Sequence, residues 1–169
     1  ARYFATGETP GRLGSRHPLI VPFQAFPTRD GYVVVTAGTE AQWERLCDAL
    51  NCAELKTDAR FGTNTARREH IGELERELNA HFVTRTTVEW LQRLAQFEVP
   101  CAPIQTIAQA ANDPQVVARE MIVQVNDALA GRQRIVNTPL RFSDMTANVR
   151  TSAPQLGEHT AQVLNEWLA

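Results

Sequence analysis

Cysteine, lysine, serine and long apolar runs are what this 169-residue sequence has least of. Cys47, Cys52 and Cys101 make an odd number and contain no C-x-x-C pair, which argues against a disulfide framework or a closed zinc site. They read as reduced and mostly buried. No stretch approaches the roughly 20 apolar residues of a membrane span, and Ala1-Arg2-Tyr3-Phe4-Ala5 lacks the charged-then-apolar layout of a secretion signal. A cytoplasmic protein with no membrane partner is expected. Of 17 basic residues only Lys56 is lysine, and 19 acidic residues spread among them leave a formal charge of −2. No one-signed field is available to hold a nucleic acid. Ser15, Ser143 and Ser152 sit in no G-x-S-x-G elbow, and phosphate-cradling loops of the P-loop or dinucleotide type are absent, so neither chemistry is written here.

What is present is an ordinary globular composition, 43% hydrophobic and 21% charged. A chain of this length buries roughly 68–70% of its unfolded surface, enough for a core without staples. Residues 1–21 read as a helix end and a connector broken by Gly7, Pro10, Gly11 and Gly14. Pro22–Phe26 and Tyr32–Thr36 are β-prone runs around an Asp30-Gly31 turn, which predicts a β-hairpin. Thr39 and Gln42 have capping-box spacing ahead of Trp43, Leu46, Cys47 and Leu50. A polar loop then leads to a helix predicted over Thr65–Phe82, with Ile71, Leu74, Leu78 and Phe82 in one stripe. Thr86 and Glu89 form a second capping box, opening a helix that turns Trp90, Leu91, Leu94 and Phe97 inward and stops at Pro100. Beyond Pro103 short helices are predicted at Thr106–Ala111 and from Pro114, then a second hairpin around Ala130-Gly131 and a final helix bearing Val163, Leu164, Trp167 and Leu168. The fold class is α+β: a small domain at 22–103 with an antiparallel hairpin sheet packed by helices, then a segment at 104–169. The irregular stretch from Asn137 to Pro154 is long for a self-contained domain, so this last third is expected to lie on a surface made by other residues.

Two groups of residues could carry chemistry. His70, Glu73, Glu77 and His81 share one predicted helix, and Glu77 and His81 stand four apart, a spacing that presents two ligands on one face. A solvated helix flank accounts for the same residues, and no metal is expected. The connector Gly11–Pro18 is the other group. Its glycines let backbone amides approach a ligand, Arg16 holds an anion by charge, and His17 donates a hydrogen bond near neutral pH. A glycine-rich linker is the plainer alternative.

The run RLGSRHPLIVPFQAFPTRDGYVVVTAGTEAQWERLCDAL, followed by DARFGTNTARR, VPCAPI, NDPQVVAREM and LGEHTAQVLNEWL, resembles in order the C-terminal portion of class III CoA-transferases. These include formyl-CoA transferase and the carnitine and bile-acid CoA-transferases. The resemblance implies a missing N-terminal large domain carrying most CoA contacts and the aspartate nucleophile, two chains interlocked as a homodimer, and a tail at 104–169 that returns to the large domain. Coenzyme A thioester then enters as substrate, with no permanently bound cofactor and a small carboxylic acid as the second partner. The implied reaction passes through an aspartyl intermediate, with a mobile loop excluding water. Gly14, Ser15, Arg16 and His17 match that loop, though they replace its polyglycine form, which implies an acceptor other than formate or oxalate. None of the six aspartates matches the nucleophile region, so no catalytic residue is expected in this chain and the chain alone is expected to be inactive. Leu156-Gly157-Glu158-His159-Thr160 is read as the turn that docks the final helix. An α-methylacyl-CoA racemase of the same fold and a non-catalytic interaction module are the alternatives.

Overall fold

Strand-forming residues on either side of Asp30-Gly31 fold back on each other as their chemistry requires. In the computed structural model of the protein, which describes residues 2–9 and 11–168, Phe23–Pro27 (β1) and Tyr32–Thr36 (β2) pair antiparallel with Ala25 opposite Val34. Pro10, counted above among the breaks in the connector, lies outside the described residues. Alternation puts Gln24, Phe26, Val33 and Val35 on the inward face, all buried. A third strand, Cys101–Pro103 (β3), pairs antiparallel with β2, placing Cys101 opposite Val35. No strand is predicted here from the sequence. Proline lacks a donor, and β3 lies at the edge of the sheet, where a missing donor disrupts no ladder.

The chain divides into two compact units, Ala1–Ile104 and Gln105–Ala169. In the first, Arg2–Thr6 (α1) ends at Gly7, whose φ of +72° suits a glycine terminator. Glu40–Leu50 (α2) starts from the expected box: Thr39 Oγ1 accepts from Gln42 N at 3.2 Å, and Gln42 Oε1 accepts from Thr39 N at 3.1 Å. A short Glu54–Thr57 helix (α3) follows. The single helix predicted over Thr65–Phe82 is instead two, Asn64–Glu69 (α4) and Ile71–Phe82 (α5), broken at His70 with φ −106° and ψ 28°. Thr63 starts α4 by accepting from Ala66 N at 3.2 Å, and Gly72, a poor helix former, weakens continuity just after the break. Thr87–Gln96 (α6) begins at the Thr86–Glu89 box and ends four residues before Pro100.

The core of this unit is aromatic where the sheet meets α5 and α6. Phe26 stacks on Phe82 with centroids 4.6 Å apart, and Phe82 meets Trp90 edge-on at 5.2 Å. Trp90 Nε1 donates to Phe82 O at 2.6 Å, so the one polar atom of this ring is satisfied. Each such side chain contributes about 1.5–3 kcal/mol by leaving water. Asp30 ties the hairpin turn to the start of α6, its Oδ1 accepting from Thr87 N at 2.7 Å.

The second unit holds Ile107–Ala111 (α7), Pro114–Ala118 (α8), the hairpin Ile122–Asp127 (β4) and Gly131–Val136 (β5), and Thr160–Leu168 (α9). Asp113 caps α8, with the proline from which the helix is predicted at its first position. Asn137 is a hub for the irregular stretch. Its side chain is hydrogen-bonded to Glu120 O, Asn148 Oδ1 and Val149 N, each at 3.0 Å. Among the described residues of this unit Val125 is the one buried apolar side chain, and α9 buries none of its own, leaving Trp167 84% exposed.

Candidate functional site

The connector residues Gly14–His17 lie along the outer edge of β1. Gly14 adopts φ +64°, which glycine reaches without strain, and Arg16 N closes the turn on Leu13 O at 3.2 Å. Ser15 Oγ accepts from Ala25 N at 3.2 Å, and His17 N donates to Phe23 O at 2.8 Å. These bonds use backbone groups that β2 does not reach. The His17 ring stacks on Phe23 at 5.2 Å, nearly parallel to it. Its Nδ1 accepts from both Leu19 N and Ile20 N at 3.1 Å. An accepting Nδ1 places the ring proton on Nε2, the nitrogen left for a ligand.

Two side chains from α4 hold the segment that follows, one of them braced by α2. Asn64 Oδ1 accepts from Val21 N at 2.9 Å while its Nδ2 donates to Leu19 O at 2.9 Å. Arg67, wholly buried, donates from Nε to Val21 O at 2.7 Å and from its Nη1 to Phe61 O at 2.9 Å and Glu40 Oε2 at 2.8 Å. The same guanidinium lies 4.9 Å over the Trp43 ring. Sequence reasoning missed this clamp. Its signal was present, because Arg67 falls four residues before Ile71 and seven before Leu74, on the stripe that packs inward.

Arg16 does not stand free. Its Nε donates to Glu75 Oε1 at 2.5 Å and its Nη2 to Glu75 Oε2, a fork from the connector to α5, and Gln24 Nε2 adds a bond to Glu75 Oε1 at 2.8 Å. This carboxylate pushes the Arg16 pKa up from its ordinary value, mainly through the hydrogen bonds, so the cation is fixed. Between connector and α4–α5 lies a cleft of about 290 Å³ lined by Leu13, Arg16, His17, Val21, Arg68 and Ile71 among others. That is the size of a small-molecule site at the low end of the usual ~300–1,000 Å³.

Of the described residues that line this cleft Glu69 is the one carboxylate, and none is an aspartate or a cysteine. Asp30 is held by Thr87, Asp58 by Arg60, Asp113 and Asp127 by the backbone turns they cap, and Asp48 by Lys56 at 2.5 Å. Hydrogen bonding to Cys52 and burial push the Cys47 thiol up, and desolvation does the same at Cys101, so neither offers a thiolate at neutral pH. The four-residue set on the predicted helix is not gathered: His70 Nδ1 lies 3.2 Å from Glu73 Oε1, and among the described residues no group of three or more His, Cys, Asp or Glu side chains is placed to hold a metal ion. No helix among them is long and apolar enough to cross a membrane.

Comparison with known proteins agrees with the resemblance in the sequence. The pattern of CoA-transferase family III matches residues 1–160. Succinyl-CoA:glutarate CoA-transferase of Mus musculus is 32% identical over 168 residues, covering 99% of this chain and 38% of its own length. Succinate–glutarate CoA-transferase of Agrobacterium fabrum is 35% identical over 169 residues, covering 97% of this chain and 41% of its own. Among solved structures, a CAIB/BAIF family protein from Brucella suis superimposes with a TM-score of 0.73 at 34% identity, over 98% of this chain and 42% of that one. The chain thus spans about two fifths of the length of the relatives it matches. With the match to the family pattern covering nearly its whole length, this chain belongs to CoA-transferase family III.

Proposed function

We propose that this chain is the C-terminal portion of an enzyme that moves coenzyme A from an acyl-CoA thioester to a small dicarboxylic acid. The family match over residues 1–160 carries this reading. The acceptor class follows from relatives named for succinate and glutarate, both dicarboxylates. An aspartate outside this chain attacks the thioester carbonyl, its oxygen bonds to the acyl carbon, and the C–S bond breaks to release CoA thiolate. The thiolate then attacks the aspartyl carbonyl of the anhydride, giving an enzyme-bound CoA thioester and freeing the first acid. The acceptor carboxylate repeats the exchange in reverse.

Gly14, Ser15, Arg16 and His17 serve as the cover that keeps water from the anhydride. Arg16 is the positioning residue, holding the cover to α5 through Glu75, and His17 offers Nε2–H to the acceptor. The tail from Gln105 packs on the large domain of a cytoplasmic, interlocked homodimer. Its nearly coreless unit and the exposed apolar face of α9 support this. The test is mass-spectrometric detection of glutaryl-CoA when the whole enzyme is given succinyl-CoA and glutarate. The whole enzyme is expected to form it and the 169-residue chain alone to form none. Absence of CoA transfer to any of a series of dicarboxylic acids overturns the reading, as does transfer by the chain alone.

A further inference from the structure

The cleft beside the connector contains two arginines, and they are not equivalent. Arg16 already satisfies a carboxylate, because both oxygens of Glu75 take its fork. Arg68, exposed on α4, lines the same cleft with no ion pair or hydrogen bond among the described residues. Thr65, three residues earlier on the same helix, lines it too and presents a hydroxyl. His17 faces it with Nδ1 committed to the backbone, so Nε2–H is its remaining donor. The other walls are apolar: Leu13, Val21 and Ile71. Glu69 also lines the cleft and repels an anion lying near it, so the negative end of a ligand needs the Arg68 cation to hold it there.

We infer that Arg68, with the Thr65 hydroxyl, anchors the distal carboxylate of a dicarboxylic acceptor, while Arg16 only shapes the cleft. The guanidinium fork matches a carboxylate bidentately, and the apolar walls fit the methylene chain between the two acid groups. The reacting carboxylate then lies toward His17 and the cover. Arg68 is a specificity-determining residue in this scheme and takes no part in bond making. The inference rests on the CoA-transferase reading above.

The experiment compares glutarate with pentanoate, an acid of equal length lacking the second carboxylate, as acceptors for the whole enzyme and its Arg68→Gln and Arg68→Lys variants at one donor concentration. The readout is the ratio of kcat/KM for the two acids, in which any effect on the donor cancels. Arg68→Gln is expected to lower the ratio about 10- to 100-fold, through a higher glutarate KM and with pentanoate unchanged. Arg68→Lys recovers part of it, because the charge returns without the fork. An unchanged ratio with transfer intact overturns the inference and leaves the function standing. An equal fall for both acids also overturns it, since that marks a general effect on the cover. A wild-type enzyme that transfers CoA to none of a series of dicarboxylic acids overturns both readings.

Discussion

Replacing Arg67 with methionine tests whether a buried guanidinium organises the site. The substitution keeps most of the side-chain length and the contact with Trp43 but strips two buried carbonyls, Val21 O and Phe61 O, of their donor. Hydrogen bonds to a charged donor are each worth about 1.5–3 kcal/mol. Relief of the guanidinium's own desolvation offsets part of that, so a net loss of about 3–5 kcal/mol is expected, in the range for removing one partner from a buried pair. With a urea slope of about 1–3 kcal/mol per molar, the unfolding midpoint falls by roughly 1–5 M. Glu40→Gln is the control. The Glu40 side chain is 53% exposed, so its pairing with Arg67 is screened and its loss costs within about 1 kcal/mol. Equilibrium urea denaturation followed by tryptophan fluorescence reads both variants. A midpoint for Arg67→Met equal to wild type, or a cost for Glu40→Gln as large as for Arg67→Met, refutes the reasoning: in the first case the carbonyls have found other partners, and in the second the ion pair carries the stability.

Two further expectations are local. Thr86→Ala removes the acceptor for Glu89 N at 3.3 Å and is expected to cost about 1 kcal/mol in the same assay, with Thr86→Ser close to wild type. Asp58 is held down to about 2, below its usual 3.8, by the Arg60 side chain and then by Arg60 N–H. Because the folded value is the lower one, the contribution of the ionised carboxylate is fully present above about pH 4 and is lost as pH falls toward 2. Asp58→Asn is therefore expected to flatten the dependence of Tm on pH in that window and leave it unaltered at neutral pH; a parallel curve would show that Asp58 has no part in acid unfolding.

Features set by neighbours in the chain were legible in the sequence. The boxes at Thr39 and Thr86 need only a three-residue spacing, and the Asp30-Gly31 hairpin needs only a turn flanked by β-prone residues, so all three were found. The family was legible because its motifs are ordered along the chain. Features set by distant partners were not. Glu75 lies 59 residues from Arg16, and no local pattern marks it as the carboxylate that occupies that arginine. β3 is three residues long and contains a proline, so it becomes a strand only because Val33–Val35 offers it an edge. The break at His70 interrupts a stripe whose period continues across it, so periodicity alone joined α4 to α5. Arg68 differs from Arg67 by one position, and packing buries the one as a clamp while leaving the other an exposed charge.

The bonds from Ser15 and His17 to β1 give the outer strand a sheath. An uncovered strand edge presents donors and acceptors in a row and recruits a strand from another molecule. Here the segment proposed to move during turnover is the one that occupies those groups, at Ala25 N and Phe23 O. Ser15 to His17 lie along the strand as a selvedge, and the opening proposed for the cover would bare that edge. Loosening that selvedge exchanges a kinetic defect for a colloidal one: the protein would announce a damaged cover by turning cloudy before its chemistry was ever assayed.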